Sequence, residues 1–454
     1  GDLKAAIDSH QRALQIRPDY AEAHNNLGNA LLVSTKLSRD ETVLAAAIES
    51  YNRAIKIKPD YAEAHSNLGS ALQAKGDMTR AIESYNRALE IKPDFTIARS
   101  HQLHQQALIC DWSAVEQDRD LIPGLGISTG FVTPFAMLSL EDCPAHQQQR
   151  SVLYAQNKFK GTVLPALARP SKLPEKLRIG YFSADFHAHP VMRLIVKMLE
   201  LHDRSAFEIH GFSFGPDTSS DMRKRLAKSF NAFHDVREMA DKNIAKLARS
   251  KGIDIAIDLT GYTQNSRSAI FSYRPAPVQV NYLGYPGTMG ADFIDYIIAD
   301  HTLIPKKNRR FYSEKIVYMP QCYQVSDNSR PVPEADVSRA ELGLPETGFV
   351  FCCFNHNYKI TPREFDIWMR LLTRVEGSVL WLRRSNKWSE INLKKEVKAR
   401  GVDPGRLVFA QECAYSKYLA RMTKADLFLD TFNYNAGAIA NDALWCGLPV
   451  LTLQ

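Results

Sequence analysis

A segment that returns on itself constrains this chain more than any other feature. The stretch IKPDYAEAHSNLGSALQAKGDMTRAIESYNRALE runs from Ile57, and its opening recurs as IKPDF from Ile91, so Pro59 and Pro93 stand 34 residues apart. An earlier copy, IRPDYAEAHNNLGNALL, begins at Ile16. Its Pro18 precedes Pro59 by 41 residues because STKLSRDE and its neighbours lengthen the turn between helices. A repeat of this length is a pair of helices that packs against the next pair, and the product is a solenoid. Ala54 and Ala88 let paired helices approach closely, and each proline is expected to start the next helix.

The period, with Leu-Gly pairs at Leu27-Gly28 and Leu68-Gly69 and alanine-rich second helices, matches the tetratricopeptide pattern over residues 1–96. About two full repeats and a leading half-repeat are present. Stacked helix pairs make a concave groove with regularly repeated side chains, which is a binding surface rather than a catalyst. Asn26 and Asn67 occupy equivalent repeat positions, either in that groove or capping and solvating a helix, and His101 holds the position in the decaying third copy.

At 454 residues, 45% apolar and 24% charged, the chain has room for two or three domains, each with its own core. Lys plus Arg exceed Asp plus Glu by seven, but the excess is scattered. The densest run, Lys306-Lys307-Asn308-Arg309-Arg310, reads as a solvated loop, so no nucleic-acid partner is expected. The seven cysteines never form CxxC pairs or stand at metal spacing from histidine, and they read as reduced core residues of a cytoplasmic protein. No run approaches eighteen apolar residues and the first residues lack a signal peptide's apolar core, so neither membrane nor export is indicated. The chain begins without Met inside a half-repeat and ends directly after PVLTL, as a piece of a longer protein would.

Residues 97–173 read as a helical connector in which DWSAVEQD and AHQQQRSVLYAQ flank the Gly/Pro-rich LIPGLGISTGFVTP. From 174 to 328 short β-rich runs follow: LRIGYFSAD, FEIHGFSF, IDIAIDL, VQVNYLG and FIDYIIAD, separated in the first half by helical patterns. A proline-rich linker, 329–348, precedes a second alternation at 349–454 with FVFCCFN, SVLWLRR, RLVFA, LFLDT and PVLTL. Strands alternating with helices give parallel, doubly wound sheets, so the expected fold is an α-helical solenoid followed by two Rossmann-like α/β lobes, the second incomplete. Such lobes bind ligands beyond the carboxyl ends of their strands, and paired lobes are expected to face each other across a cleft.

Polar and glycine residues fall at those strand ends repeatedly. Phe186-His187-Ala188-His189-Pro190 follows IGYFSAD, Thr260-Gly261-Tyr262-Thr263 follows IAIDL, and YLGYPGT, from Tyr282, follows the next run. In the second half NHNYK, Asn355 to Lys359, follows FVFCCF, and NYNAGAIAND, Asn433 to Asp442, follows LFLDT. His189 before Pro190 suits a helix N-terminus, where its imidazole serves either chemistry or capping, while His187 reads as structural. Lys359, between a strand and the helical ITPREFDIWMRLL, can reach a diphosphate. The helix start after NAGAIAND offers free N–H groups to phosphate. No acidic pair at a strand end demands a divalent ion, so neither metal nor cofactor is expected.

These motifs, with RPAPVQVNYLGYPGTMGADFIDYIIAD and DALWCGLPVLTL, resemble in order and over nearly the whole chain the bacterial O-GlcNAc transferase/SPINDLY family of GT-B type. The short linker resembles its bacterial members and lacks the large insert of the animal enzymes. The resemblance implies an inverting transfer of N-acetylglucosamine from UDP-GlcNAc to protein Ser/Thr hydroxyls. It implies a catalytic pair, His189 by the acceptor hydroxyl and Lys359 at the departing diphosphate. Losing one such preorganised charge costs roughly a hundred- to a thousandfold in rate. It implies donor contacts at Asn355, His356, Tyr418, Arg421, Gly437, Ala438, Ile439 and Asp442, the last in the first helical turn as the ribose ligand. A sugar pocket at Leu283, Gly284, Tyr285 and Pro286 follows, as does an asparagine ladder through Asn26 and Asn67 that grips acceptor proteins along the repeat groove.

The departures from the family cluster in one place. Gly437-Ala438-Ile439 stand where His-Thr-Thr or Gly-Thr-Thr is usual, Tyr418 where a histidine stacks on uracil, and His356 where the animal enzyme has Gln. Two lost hydrogen bonds to a charged group cost about 3–6 kcal/mol if uncompensated. Two alternatives therefore accompany the leading reading: GDP-fucose as donor, or a repeat-based binding scaffold whose lobes have lost activity.

Overall fold

The computed structural model describes residues 3–38, 40–160, 164–165, 167, 174–330 and 337–453. Parts of the expected connector (161–163, 166 and 168–173), the middle of the expected linker (331–336) and Gln454 lie outside the described residues. The chain forms two compact units. One takes in the repeats up to Arg99, Gly124–Phe135 and Cys143–Asn328; the other takes in Ser100–Pro123, Ala136–Asp142 and the chain from Ser329.

In the first unit the repeat helices are Leu3–Ile16, Ala21–Ser38, Glu41–Ile57, Ala62–Lys75 and Met78–Ile91, and the division between the units falls within the next helix, Thr96–Leu108. The Leu-Gly pairs mark where a tyrosine crosses the facing helix. A Cβ on Gly28 or Gly69 would stand 2.6 Å from a ring carbon of Tyr51 or Tyr85, and both rings are fully buried. Alanines 47, 71, 81 and 88 share that core with Leu44, Leu68, Leu72 and Leu89, as small residues between close helices must. Acidic side chains start two of the helices: Asp40 accepts from Thr42 N and Asp77 from Arg80 N. The prolines do not start helices as expected. Pro18 and Pro59 lie in the preceding turns, where their carbonyls bind His24 Nε2 at 2.9 Å and His65 Nε2 at 3.0 Å, so the histidine one turn into the helix fixes the entry of the chain.

The same unit carries a seven-stranded, wholly parallel sheet. Its strands are β1 (Leu177–Ser183), β2 (Phe207–Ser213), β3 (Ala232–Asp235), β4 (Ile255–Asp258), β5 (Val278–Asn281), β6 (Tyr296–Ala299) and β7 (Lys315–Tyr318), in the order β3-β2-β1-β4-β5-β6-β7. Five strands match runs read from the sequence. β3 and β7 do not, because AFHD and KIVY are short edge strands with little buried surface and so lack the continuous apolar run of an inner strand. Phe182 and Phe212, stacked at 4.4 Å on neighbouring strands, anchor the core.

The second unit holds β8 (Val350–Cys353), β9 (Val379–Arg383), β10 (Leu407–Ala410), β11 (Leu427–Leu429) and β12 (Val450–Leu451), parallel and ordered β10-β9-β8-β11-β12. The residues read as one connector divide between the units. Trp112 is buried in the second core, donating to Ile360 O at 3.1 Å with its ring edge-on to Phe365. The helix Pro144–Lys158 belongs to the first, where Arg150 Nε donates to Leu125 O and Tyr154 packs on Tyr262. All seven cysteines are free; Cys110, Cys352 and Cys353 are core residues as expected, whereas Cys322 and Cys413 are exposed. No helix among the described residues is long and apolar enough to cross a membrane.

Candidate active site

In a parallel sheet every carboxyl end lies on one edge, and β1, β4 and β5 are neighbours, so their following loops meet. Thr260 Oγ1 accepts from Ala184 N at 3.3 Å, tying the β4 loop to the β1 loop. Asp258, fully buried, accepts from Thr260 N and Gly261 N at 2.9 Å each and from Ser268 Oγ. The β5 loop crosses just above: a Cβ on Gly284 would meet Leu259 O at 2.0 Å, so only glycine fits. Beside it Leu283 is held at φ 71°, the left-handed strain that a rigid surround sustains at binding loops. Of the expected sugar-pocket residues, Leu283 and Tyr285 are buried and Gly284 and Pro286 half-buried, with Pro286 O accepting from Tyr312 OH at 3.1 Å.

His189 caps the helix Pro190–Glu200 as expected, its Nδ1 accepting from Val191 N at 3.4 Å. Desolvation, then the neighbouring His187 and Arg193, push its pKa down to about 4. A neutral ring whose Nδ1 accepts carries its proton on Nε2, and therefore offers a donor there rather than a base. The nearest carboxyl is Asp185, whose Oδ2 lies 3.7 Å from Nδ1 and whose pKa is raised to about 7 by burial and then by Asp258.

In the second lobe β8 and β11 are adjacent, and the loops after them carry the expected donor residues. Asp430, at the end of β11, organises this corner. Its Oδ1 accepts from Asn355 Nδ2 at 3.0 Å, Thr431 N at 2.8 Å and Ala436 N at 2.8 Å, and its Oδ2 accepts from Thr452 Oγ1 at 2.8 Å. Lys359 reaches into the same loop, donating from Nζ to Asn435 O at 3.0 Å with the ammonium 3.6 Å from the Tyr434 ring centre. It is 8% exposed, and desolvation, opposed by Asp430, lowers its pKa to about 8. Two residues beyond Asn435, Gly437 caps the helix Ala438–Trp445, with Gly437 exposed and Ala438 and Ile439 half-buried. A cationic side chain thus stands beside a helix N-terminus whose first N–H groups lack intrahelical partners, the arrangement that binds phosphate oxygens.

The nucleoside residues lie on adjoining elements. Tyr418 and Arg421 are on the helix Tyr415–Met422, the guanidinium 5.0 Å from the Tyr418 ring and 4.9 Å from Phe354. Tyr418 OH, Arg421 Nε and Asn355 Oδ1 are buried without a hydrogen-bond partner in the structure. His356 is exposed, near-parallel to Tyr358 and 3.0 Å from Arg383 Nη1 through Nε2. Asp442 lies five residues past the Gly437 cap, in the second helical turn rather than the first, because the helix opens at Ala438. Its carboxylate accepts from Arg330 and Tyr415. In the repeats Asn26 is exposed and Asn67 half-buried, donating to Asn25 Oδ1 of the preceding repeat at 2.9 Å. Sequence reasoning missed Asp185, Arg330, Tyr415, Asp430 and Tyr434. An acid directly ending an apolar strand, as in LFLD, was a signal for Asp430, and Asp185 and Tyr434 stand in the strand-end stretches IGYFSAD and NYNAGAIAND; Arg330 and Tyr415 carry none outside their tertiary partners.

Helix-pair repeats followed by two parallel doubly wound sheets, with binding loops at the strand carboxyl ends, define the class: a repeat array joined to two Rossmann-like lobes of GT-B type. The chain belongs to glycosyl transferase family 41, whose model matches residues 164–335 and 332–454. Tetratricopeptide models match 1–32, 44–76 and 62–95. It is 36% identical over 302 residues to the probable UDP-N-acetylglucosamine–peptide N-acetylglucosaminyltransferase SEC of Arabidopsis thaliana, covering 64% of this chain and 31% of that protein. It is 28% identical over 392 residues to the corresponding transferase of Caenorhabditis elegans, covering 62% and 34%. A probable transferase named SPINDLY from Petunia hybrida is 29% identical over 298 residues, covering 62% and 31%. This chain therefore spans about a third of the length of these relatives. Among solved structures, a mutant O-GlcNAc transferase of Thermobaculum terrenum superposes with a TM-score of 0.70 at 27% identity, over 100% of this chain and 79% of that one.

Proposed function

We propose that this protein transfers N-acetylglucosamine from UDP-GlcNAc to Ser or Thr hydroxyls of proteins with inversion at the anomeric carbon. The observation that carries the reading is the convergence of the Lys359 ammonium and the exposed Gly437 helix cap on one loop held by Asp430. The acceptor oxygen attacks the anomeric carbon as the bond to the diphosphate oxygen breaks. Charge then develops on the departing UDP, where Lys359 and the N–H groups at Gly437, Ala438 and Ile439 stabilise it in place of the absent side-chain hydroxyls. Asn355 and His356 flank the diphosphate, Tyr418 stacks on the base beside Arg421, and Asp442 binds the ribose. Leu283 to Pro286 line the sugar.

The tautomer of His189 shapes its proposed part: Nε2–H orients a substrate oxygen, and Asp185 accepts the proton of the attacking hydroxyl. No metal or cofactor enters this mechanism. Acceptor proteins lie along the repeats near Asn26 and Asn67. The donor in the relatives' names, UDP-GlcNAc, supports this donor over GDP-fucose. The test is mass spectrometry of bacterial proteins co-expressed with the chain, expecting added N-acetylhexosamine that disappears with Lys359→Ala; calorimetry with UDP and GDP decides the base. Deoxyhexose in place of hexosamine, or modification undiminished in Lys359→Ala, refutes the proposal.

A further inference from the structure

Arg330 is the second residue of the stretch read as a linker, yet its side chain is built into the second lobe. Nη1 donates to Asp442 Oδ1 at 2.6 Å and to Tyr415 OH at 3.0 Å, Nη2 donates to Asn441 Oδ1 at 2.7 Å, and the guanidinium lies 4.8 Å from the Trp445 ring centre. The side chain is 5% exposed. Burying a guanidinium is costly, and an apolar residue of similar size would anchor a linker at least as well. What an arginine adds is orientation, because its rigid planar fork fixes the acceptors it binds.

Those acceptors are informative. Tyr415 also donates to Asp442 Oδ1, at 2.8 Å, so carboxylate, phenol and guanidinium close a triangle. Tyr415 lies near-parallel to Tyr418, centroids 5.9 Å apart at 22°. One linker side chain therefore reaches both groups on which the nucleoside reading depends: the carboxylate directly, and the Tyr418 ring through Tyr415. The Lys359 and Asp430 contacts at the diphosphate end involve neither Arg330 nor Tyr415.

We propose that Arg330 is the positioning residue of the nucleoside subsite, holding the Asp442 carboxylate for a ribose hydroxyl and, through Tyr415, the Tyr418 ring for the base. This deepens the proposed function and rests on it. A group that acts through Asp442 and Tyr418 affects ligands that carry a nucleoside and spares those that do not.

The experiment is calorimetric titration of the whole chain with UDP and, separately, with inorganic pyrophosphate. Arg330→Met is expected to weaken UDP about tenfold to a hundredfold, Arg330→Lys less, and Tyr415→Phe about threefold to tenfold, with pyrophosphate affinity within about twofold of wild type throughout. Tyr415→Phe removes one hydroxyl and keeps the ring, so it reports even where Arg330→Met does not fold. Equal weakening of UDP and pyrophosphate reduces Arg330 to a structural staple, and undiminished UDP binding by folded Arg330→Met and Tyr415→Phe removes the role altogether. Wild-type protein that binds pyrophosphate but not UDP overturns the functional reading itself, and this inference with it.

Discussion

Replacing Lys359 by methionine should make the protein more stable and cripple its chemistry. The ammonium is nearly enclosed, and its pKa falls from the ordinary 10.5 to about 8, which corresponds to about 3 kcal/mol against folding at neutral pH. Methionine keeps the length of the stem without the charge and forfeits the hydrogen bond to Asn435 O, worth about 1 kcal/mol, so the net gain is about 2 kcal/mol. The pH dependence is distinctive. The unfolded chain holds the lysine proton up to 10.5 and the folded chain releases it near 8, so the cost is complete below pH 8 and disappears as pH climbs towards 10.5. Urea unfolding of wild type and Lys359→Met at pH 7 and pH 9.5 measures this: the variant leads at pH 7, and the difference shrinks towards zero at pH 9.5. Transfer should fall roughly a hundred- to a thousandfold. A variant less stable than wild type at pH 7, or a difference unmoved by pH, would refute the argument that a buried charge is kept here at the expense of the fold.

Gly28→Ala brings a methyl group to 2.6 Å from the Tyr51 ring and should cost about 1–3 kcal/mol, read as a lower urea midpoint for loss of helical circular dichroism. Asp185, with its pKa raised to about 7, binds its proton more tightly folded than unfolded. Its contribution therefore lowers stability as pH rises from about 4 through 7, and Asp185→Asn should gain in melting temperature over wild type at pH 8 and not at pH 4. Ala438→Thr returns a hydroxyl to the first residue of the helix beyond Gly437 and should tighten UDP about tenfold by calorimetry; unchanged affinity would mean that the backbone N–H groups already satisfy the diphosphate.

The local elements were legible because each has a signal of short range. The Leu-Gly pairs and the 34-residue spacing marked the repeats, and runs such as VFCC, with all four residues buried, marked inner strands. Edge strands like KIVY escaped because half their residues face solvent and their pattern is that of a loop. Lys359, Asn355 and the Gly437 cap were legible as strand-end residues, since in a parallel sheet strand direction alone decides which end carries the loops.

Sequence alone determined the order of parts, the class of each sheet and the edge on which the site would form, because periodicity and strand direction are properties of neighbouring residues. Only the tertiary structure decided the rest. It placed Trp112 in the second core, put the repeat prolines in turns read by His24 and His65, moved Asp442 into the second turn, and brought Arg330 to it from a stretch that looked like spacer. Pairings across 112 residues, like that of Arg330 with Asp442, follow from packing rather than pattern, and the tautomer of His189 follows from which amide its ring happens to cap.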